Sequence, residues 1–130
     1  MKKFLTRTLP IAITGLLAAN TSFAVSIDSE RVAMECGVIA NHLDYLVKNH
    51  HGHEKHCIYL VMESSWAMNA AAASIKSGNY PEGADKLMYS ERRLQSASYH
   101  CHSFSPMLPP LLMDVSRLKT EVENAVTTKS

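Results

Sequence analysis

The chain has 130 residues, which leaves room for one domain and a targeting segment. Its charges are nearly balanced, with 13 Lys and Arg against 12 Asp and Glu. This composition excludes a strongly basic nucleic-acid binder. Glycine and proline number five each, too few to favour a β-sandwich or a disordered chain.

Residues 1–24 have the three parts of a secretory signal peptide. A lysine-rich start is followed by a largely apolar stretch over residues 11–19. Ser22-Phe23-Ala24 then places small residues at the two positions that a signal peptidase reads. Cleavage after Ala24 predicts a periplasmic or secreted mature protein. No later stretch reaches the roughly 18 apolar residues that span a bilayer, so no membrane span is expected in it.

The remaining chain contains four stretches in which apolar residues recur at alternating spacings of three and four. This is the pattern of amphipathic helices rather than strands. Short connections make consecutive helices antiparallel, so the sequence predicts an all-α, up-down-up-down four-helix bundle over residues 25–130. The predicted helices cover residues 27–50, 54–77, 81–102 and 110–127.

Capping residues mark several of the predicted helix ends. Asp28 is available to cap the first helix, and Pro81 fits the first turn of the third. Gly52 and Gly78 follow the first two helices, where a left-handed conformation ends a helix without a steric clash. The third helix has the weakest apolar seam of the four, because Glu91 falls on it.

Six of the seven histidines and two of the three cysteines fall within residues 50–57 and 100–102. In an antiparallel bundle the end of the first helix, the start of the second and the end of the third lie at the same end. The two groups are therefore predicted to meet there. We refer to this region as the His/Cys pole; it consists of His50, His51, His53, His56, Cys57, His100, Cys101 and His102.

The cysteines favour a disulfide, because an exported protein folds in an oxidising compartment. Cys57 and Cys101 both lie on core-facing seams at the pole and are the predicted pair. Closing a loop of about 45 residues would stabilise the fold by roughly 4 kcal/mol in the chain-entropy model. Cys36 lies about 21 Å along the first helix from the pole. It is predicted to be a buried, free thiol, although an odd cysteine also leaves open a homodimer linked through it.

The histidines predict a transition-metal site in a protein that sequesters or transfers the metal. Imidazoles suit Zn, Cu and Ni, and reduced thiolates would favour Zn or Cu(I). The spacing matches no closed zinc motif, so the pattern is compositional. A plain polar surface, or a cluster whose imidazoles repel one another below about pH 6, are the alternatives. The predicted metal ligands are His50, His53, His56, His100 and His102.

Haem b is the disfavoured cofactor. The segment Ala97-Ser98-Tyr99-His100 resembles the histidine-bearing helix end of exported b-type cytochromes. In this sequence the histidine belongs to the third predicted helix rather than to the last. The chain also lacks Cys-x-x-Cys-His, which excludes covalent haem attachment of the c type.

No enzyme is predicted, because the sequence contains no nucleophile elbow, Gly-rich phosphate loop or activated Cys/His pair. The alternative function is an interaction module that binds another exported protein as an inhibitor, chaperone or assembly factor. Its anchors would be aromatic side chains. Trp66 lies just off the apolar seam and is expected to be partly buried, and the methionines are interpreted as core side chains. The candidate anchors are Tyr59, Trp66, Tyr89 and Tyr99.

Overall fold

The computed structural model describes residues 27–49 and 54–129. Within these ranges the chain forms four α-helices, one short 3-10 helix and no strand, which confirms the predicted four-helix bundle. The predicted signal peptide and the turn at Gly52 lie outside the described residues. The helices are α1 (Ser29–Lys48), α2 (Lys55–Lys76), α3 (Tyr80–His100), the 3-10 helix (Ser105–Met107) and α4 (Leu108–Lys129).

The first and third helices begin at capping side chains. The Asp28 carboxylate accepts a hydrogen bond of 3.1 Å from the backbone N–H of Arg31. Asn79 accepts one of 3.3 Å from the backbone N–H of Glu82. These bonds satisfy N–H groups that have no partner within the helix. Between α2 and α3, Gly78 has a φ of +84°, which glycine adopts without a Cβ clash.

The fourth helix begins earlier than predicted. It starts at Leu108 instead of residue 110, so Pro109 and Pro110 both lie in its first turn. Proline is tolerated there because the first N–H groups of a helix have no acceptor within it. The structure therefore adds Leu108 and Pro109 to the start of the predicted helix.

A core of apolar side chains runs between the helices. Consecutive helices pack along their lengths, whereas the contact between α1 and α4 is smaller. Buried hydroxyl groups join the helices within this core: the Oγ atoms of Ser64 and Ser90 lie 2.5 Å apart, and Ser65 donates to the carbonyl of Ala40 at 3.1 Å. The largest fully buried side chains are Val32, Leu43, Leu60, Val61, Met68, Ile75, Leu87, Leu94, Phe104, Leu108, Val115 and Leu118.

Charged side chains close the seam between α1 and α4. Arg31 pairs with Glu121, and Arg117 lies 3.4 Å from Glu35. Partly exposed ion pairs of this kind contribute about 0–1 kcal/mol each. The charged face of α4 is therefore a helix–helix contact as well as a surface.

Some apolar side chains stay outside the core. Met68 is fully buried, but Met34 and Met113 are 63% and 73% exposed. The expectation that methionines fill the core is therefore wrong for these two. Among the described helices, none has the length and apolar character needed to cross a membrane.

Candidate functional site

A disulfide between Cys57 and Cys101 ties the start of α2 to the end of α3. The two Cα atoms lie 5.7 Å apart, and both side chains are 2% exposed. The predicted pairing is confirmed. Cys36 is the free cysteine of the described residues and is fully buried in α1, as expected. It is therefore not placed to join two chains.

Three of the predicted metal ligands are neighbours of the bridged cysteines in the chain. His56 precedes Cys57, and His100 and His102 flank Cys101. Consecutive Cα atoms in the chain lie about 3.8 Å apart, and the Cα atoms of the two bridged cysteines lie 5.7 Å apart. Any two of the three histidine Cα atoms therefore lie within about 13 Å of each other. All three side chains are exposed. The bridge therefore limits the distance between histidine Cα atoms from two distant parts of the chain.

The turn that carries His102 is fixed on both sides. At its start, the backbone N–H of Cys101 donates to the carbonyl of Ala97 at 2.8 Å and ends α3. Two residues after His102, the side chain of Phe104 is fully buried, and its N–H donates to the carbonyl of Cys101 at 3.0 Å. The disulfide and the buried ring thus hold this turn against the bundle.

Two further side chains contact the pole. The ring of Tyr99, which is 79% exposed, meets the His100 ring edge-on with a centroid separation of 4.8 Å. Glu54, which precedes α2, places Oε1 3.4 Å from the Sγ atom of Cys57. Glu54 is not among the predicted ligands, and its position two residues before His56 is the sequence feature that indicates it. A carboxylate of this kind is a common zinc ligand beside imidazoles.

The chemistry at the pole follows from these groups. Because both cysteines are bridged, neither supplies a thiolate, and the remaining donors are imidazole nitrogens and the Glu54 carboxylate. Among residues 27–49 and 54–129, no three His, Cys, Asp or Glu side chains converge as a metal-binding group. His50 and His53, the other two predicted ligands, lie outside the described residues.

A second group of side chains lies on the outer side of α2 and α3. Glu63 accepts a hydrogen bond of 3.1 Å from the Tyr89 hydroxyl and pairs with Arg93 at 3.3 Å. The Arg93 guanidinium lies 4.8 Å from the centroid of the Tyr89 ring. Trp66, which was expected to be partly buried, is 56% exposed. Tyr59 and Tyr89 are 52% and 40% exposed.

Comparison with known protein families, with curated proteins and with solved structures found no match to this chain. Its function is therefore inferred from its own residues.

Proposed function

We propose that the protein is exported and binds a divalent transition metal at the His/Cys pole, in order to sequester or transfer that metal. One observation carries the proposal: the Cys57–Cys101 bridge brings His56 together with His100 and His102. His100 and His102 flank Cys101 in the chain, and His56 directly precedes Cys57.

The donor set favours Zn, Cu(II) or Ni among the candidate metals. Imidazole nitrogens suit all three, whereas Cu(I) is selected by thiolate or thioether ligands that the bridged cysteines do not supply. His50 and His53 precede α2 in the chain and are further ligands in this proposal. Metal ligation requires neutral imidazoles, so affinity should fall between about pH 7 and pH 5.

Calorimetric titration of the oxidised mature protein with Zn, Cu(II) and Ni tests this function. We expect a site of micromolar affinity or tighter. The His56→Ala, His100→Ala variant removes one imidazole from each side of the bridge and should bind at least about tenfold more weakly. His42 is an exposed histidine within α1, so His42→Ala is the matched control and should bind like the parent.

Two outcomes would contradict the proposal. One is the absence of binding at micromolar metal. The other is an equal loss of affinity in the His42→Ala control, which would indicate scattered surface binding rather than a site at the pole.

The interaction module remains the second candidate, and the exposed aromatic side chains on α2 and α3 favour it. Aromatic residues dominate the binding energy of many protein interfaces. If the His56→Ala, His100→Ala variant binds metal as tightly as the parent and the His42→Ala control, the interaction module becomes the leading candidate. The immobilised protein should then retain an exported protein that the Trp66→Ala variant does not retain.

A further inference from the structure

The outer side of α2 lacks the charge that a solvent-facing helix usually carries. Residues 56–75 include a single Asp, Glu, Lys or Arg, which is Glu63. Its carboxylate is already paired with Arg93 of α3 at 3.3 Å. Besides Glu63 and Asn69, the outer side carries mainly aromatic and alanine side chains. Exposed apolar patches of this kind often mark protein interaction sites, so the outer side of α2 is a candidate docking surface.

Two of the aromatic side chains on this surface, Tyr59 and Tyr89, have partners within the fold. Glu63 accepts the hydroxyl of Tyr89 and binds Arg93, which stacks on the Tyr89 ring. A hydrogen bond with Glu63 also raises the pKa of Tyr59. Side chains that are ordered before binding lose less entropy when a partner docks.

A groove of about 450 Å³ lies between α2 and α3 beside Trp66. Ala67 and Ala70 line it with small side chains, and the neighbouring residues Asp85 and Lys86 add one negative and one positive charge. Within the described part of the chain, neither Asp85 nor Lys86 has an ion-pair partner. The groove thus presents two charges of opposite sign that have no ion-pair partner among the described residues.

We infer that this surface binds a second copy of the chain about a twofold axis, with Trp66 of each copy in the groove of the other. A twofold interface places residue i opposite j and j opposite i. Asp85 of one copy then meets Lys86 of the other, and the same pair forms again across the axis. A uniformly acidic or basic partner would match only one of the two charges, whereas a second copy matches both.

The dimer and the metal site use different parts of the molecule. Trp66 lies nine residues after Cys57 in α2, which is about 13 Å along a helix. The groove beside Trp66 and the bridged cysteines therefore lie at different levels along α2. The inferred dimer does not depend on metal binding. It is tested in the presence of a chelator, so that a negative result for the dimer is independent of a negative result for metal binding.

Sedimentation equilibrium of the oxidised mature protein, from low to high micromolar concentration, tests the dimer. We expect the parent to reach the mass of two chains. Trp66→Ala should remain a monomer at the same concentrations with an unchanged circular dichroism spectrum, because the side chain is 56% exposed in one copy.

A charge exchange tests the twofold pairing. In the Lys86→Glu variant, Asp85 of each copy faces a glutamate of the other copy. This repulsion occurs on both sides of the axis and should weaken association at least about tenfold. The Asp85→Lys, Lys86→Asp variant exchanges the two charges and should restore association. Lys48→Glu makes the same change of charge at an exposed position at the end of α1 and should associate like the parent.

Three results would overturn the inference. A monomer at all concentrations would do so, and capture of a different exported protein through Trp66 would then assign the surface to that protein. A dimer unaffected by Trp66→Ala and Lys86→Glu would place the contact elsewhere. Failure of the exchanged pair to restore association would exclude the Asp85–Lys86 pairing.

Discussion

Glu91 of α3 and Lys119 of α4 form an ion pair at the edge of the core, with Oε1 and Nζ 2.7 Å apart. Ser116 donates a second hydrogen bond to the same carboxylate. Glu91 is 9% exposed and stands on the predicted apolar seam of the third helix. A carboxylate is tolerated there because the neighbouring helix supplies both a cation and a hydroxyl group.

Stability should depend on pH through this pair. Burial alone would raise the pKa of Glu91, but the hydrogen bonds from Lys119 and Ser116 outweigh it and hold the pKa below its ordinary value. When the pKa of a carboxyl group is lower in the folded than in the unfolded chain, its ionised form stabilises the fold. This stabilisation is fully present at pH values above the pKa of the unfolded chain. This contribution is lost as the pH falls through the folded value. Glu91→Gln should lower the free energy of unfolding by about 2 kcal/mol near pH 7 and by much less near pH 3.

Urea unfolding of the parent and the Glu91→Gln variant at both pH values measures this difference. Glu30→Gln, at an exposed position in the first turn of α1, is the control and should change stability little. An equal loss at neutral and acid pH in the Glu91 variant would contradict a role for the ionised carboxylate.

Gly83 at the start of α3 packs directly against Ile75 of α2. A Cβ atom at Gly83 would lie 2.7 Å from Cγ1 of Ile75, which is too close for van der Waals contact. Alanine is the better helix former by about 1 kcal/mol, yet we expect Gly83→Ala to destabilise the fold by about 1–2 kcal/mol because of this overlap. In a chain that already carries Ile75→Ala, Gly83→Ala should cause no further loss of stability, because the overlapping Ile75 atom is absent.

Gly37 provides the matched comparison for this effect. No neighbouring atom lies within 4 Å of a Cβ built there. Gly37→Ala should therefore stabilise α1 by up to about 1 kcal/mol. Urea unfolding measures the free energy of unfolding of the two glycine variants. If both variants are more stable than the parent, the Ile75 side chain moves away from the added Cβ atom at little cost.

The helices and the disulfide were predictable because each depends on local pattern and simple topology. Apolar spacing places Cys57 and Cys101 on core-facing seams, and antiparallel connections bring those seams to the same end of the bundle. The Glu91–Lys119 pair was not predictable, because the periodicity of one helix does not give its rotation against the next. The degree of exposure of Trp66 was not predictable for the same reason.

Removing the disulfide should have a large effect on stability. The bridge joins residues separated by 44 positions, and the chain-entropy model gives about 4 kcal/mol for a loop of that length. Urea unfolding of the Cys57→Ser, Cys101→Ser variant should show a loss of this order, together with weaker metal binding. Peptide mapping without reductant provides the direct check, and a bridge that includes Cys36 would contradict the pairing.

The Cys36 thiol should be unreactive in the folded protein. Burial, with a smaller contribution from the charge of Glu35, raises the pKa of this thiol to about 12. The thiolate is the nucleophile in alkylation, so at about pH 8 almost none of the reactive form is present, and the core also excludes the reagent. Iodoacetamide should add no label to the native oxidised protein and one label after unfolding in urea, measured by intact mass. Rapid labelling of the native protein would show that α1 opens locally at Cys36, in conflict with its complete burial in the fold.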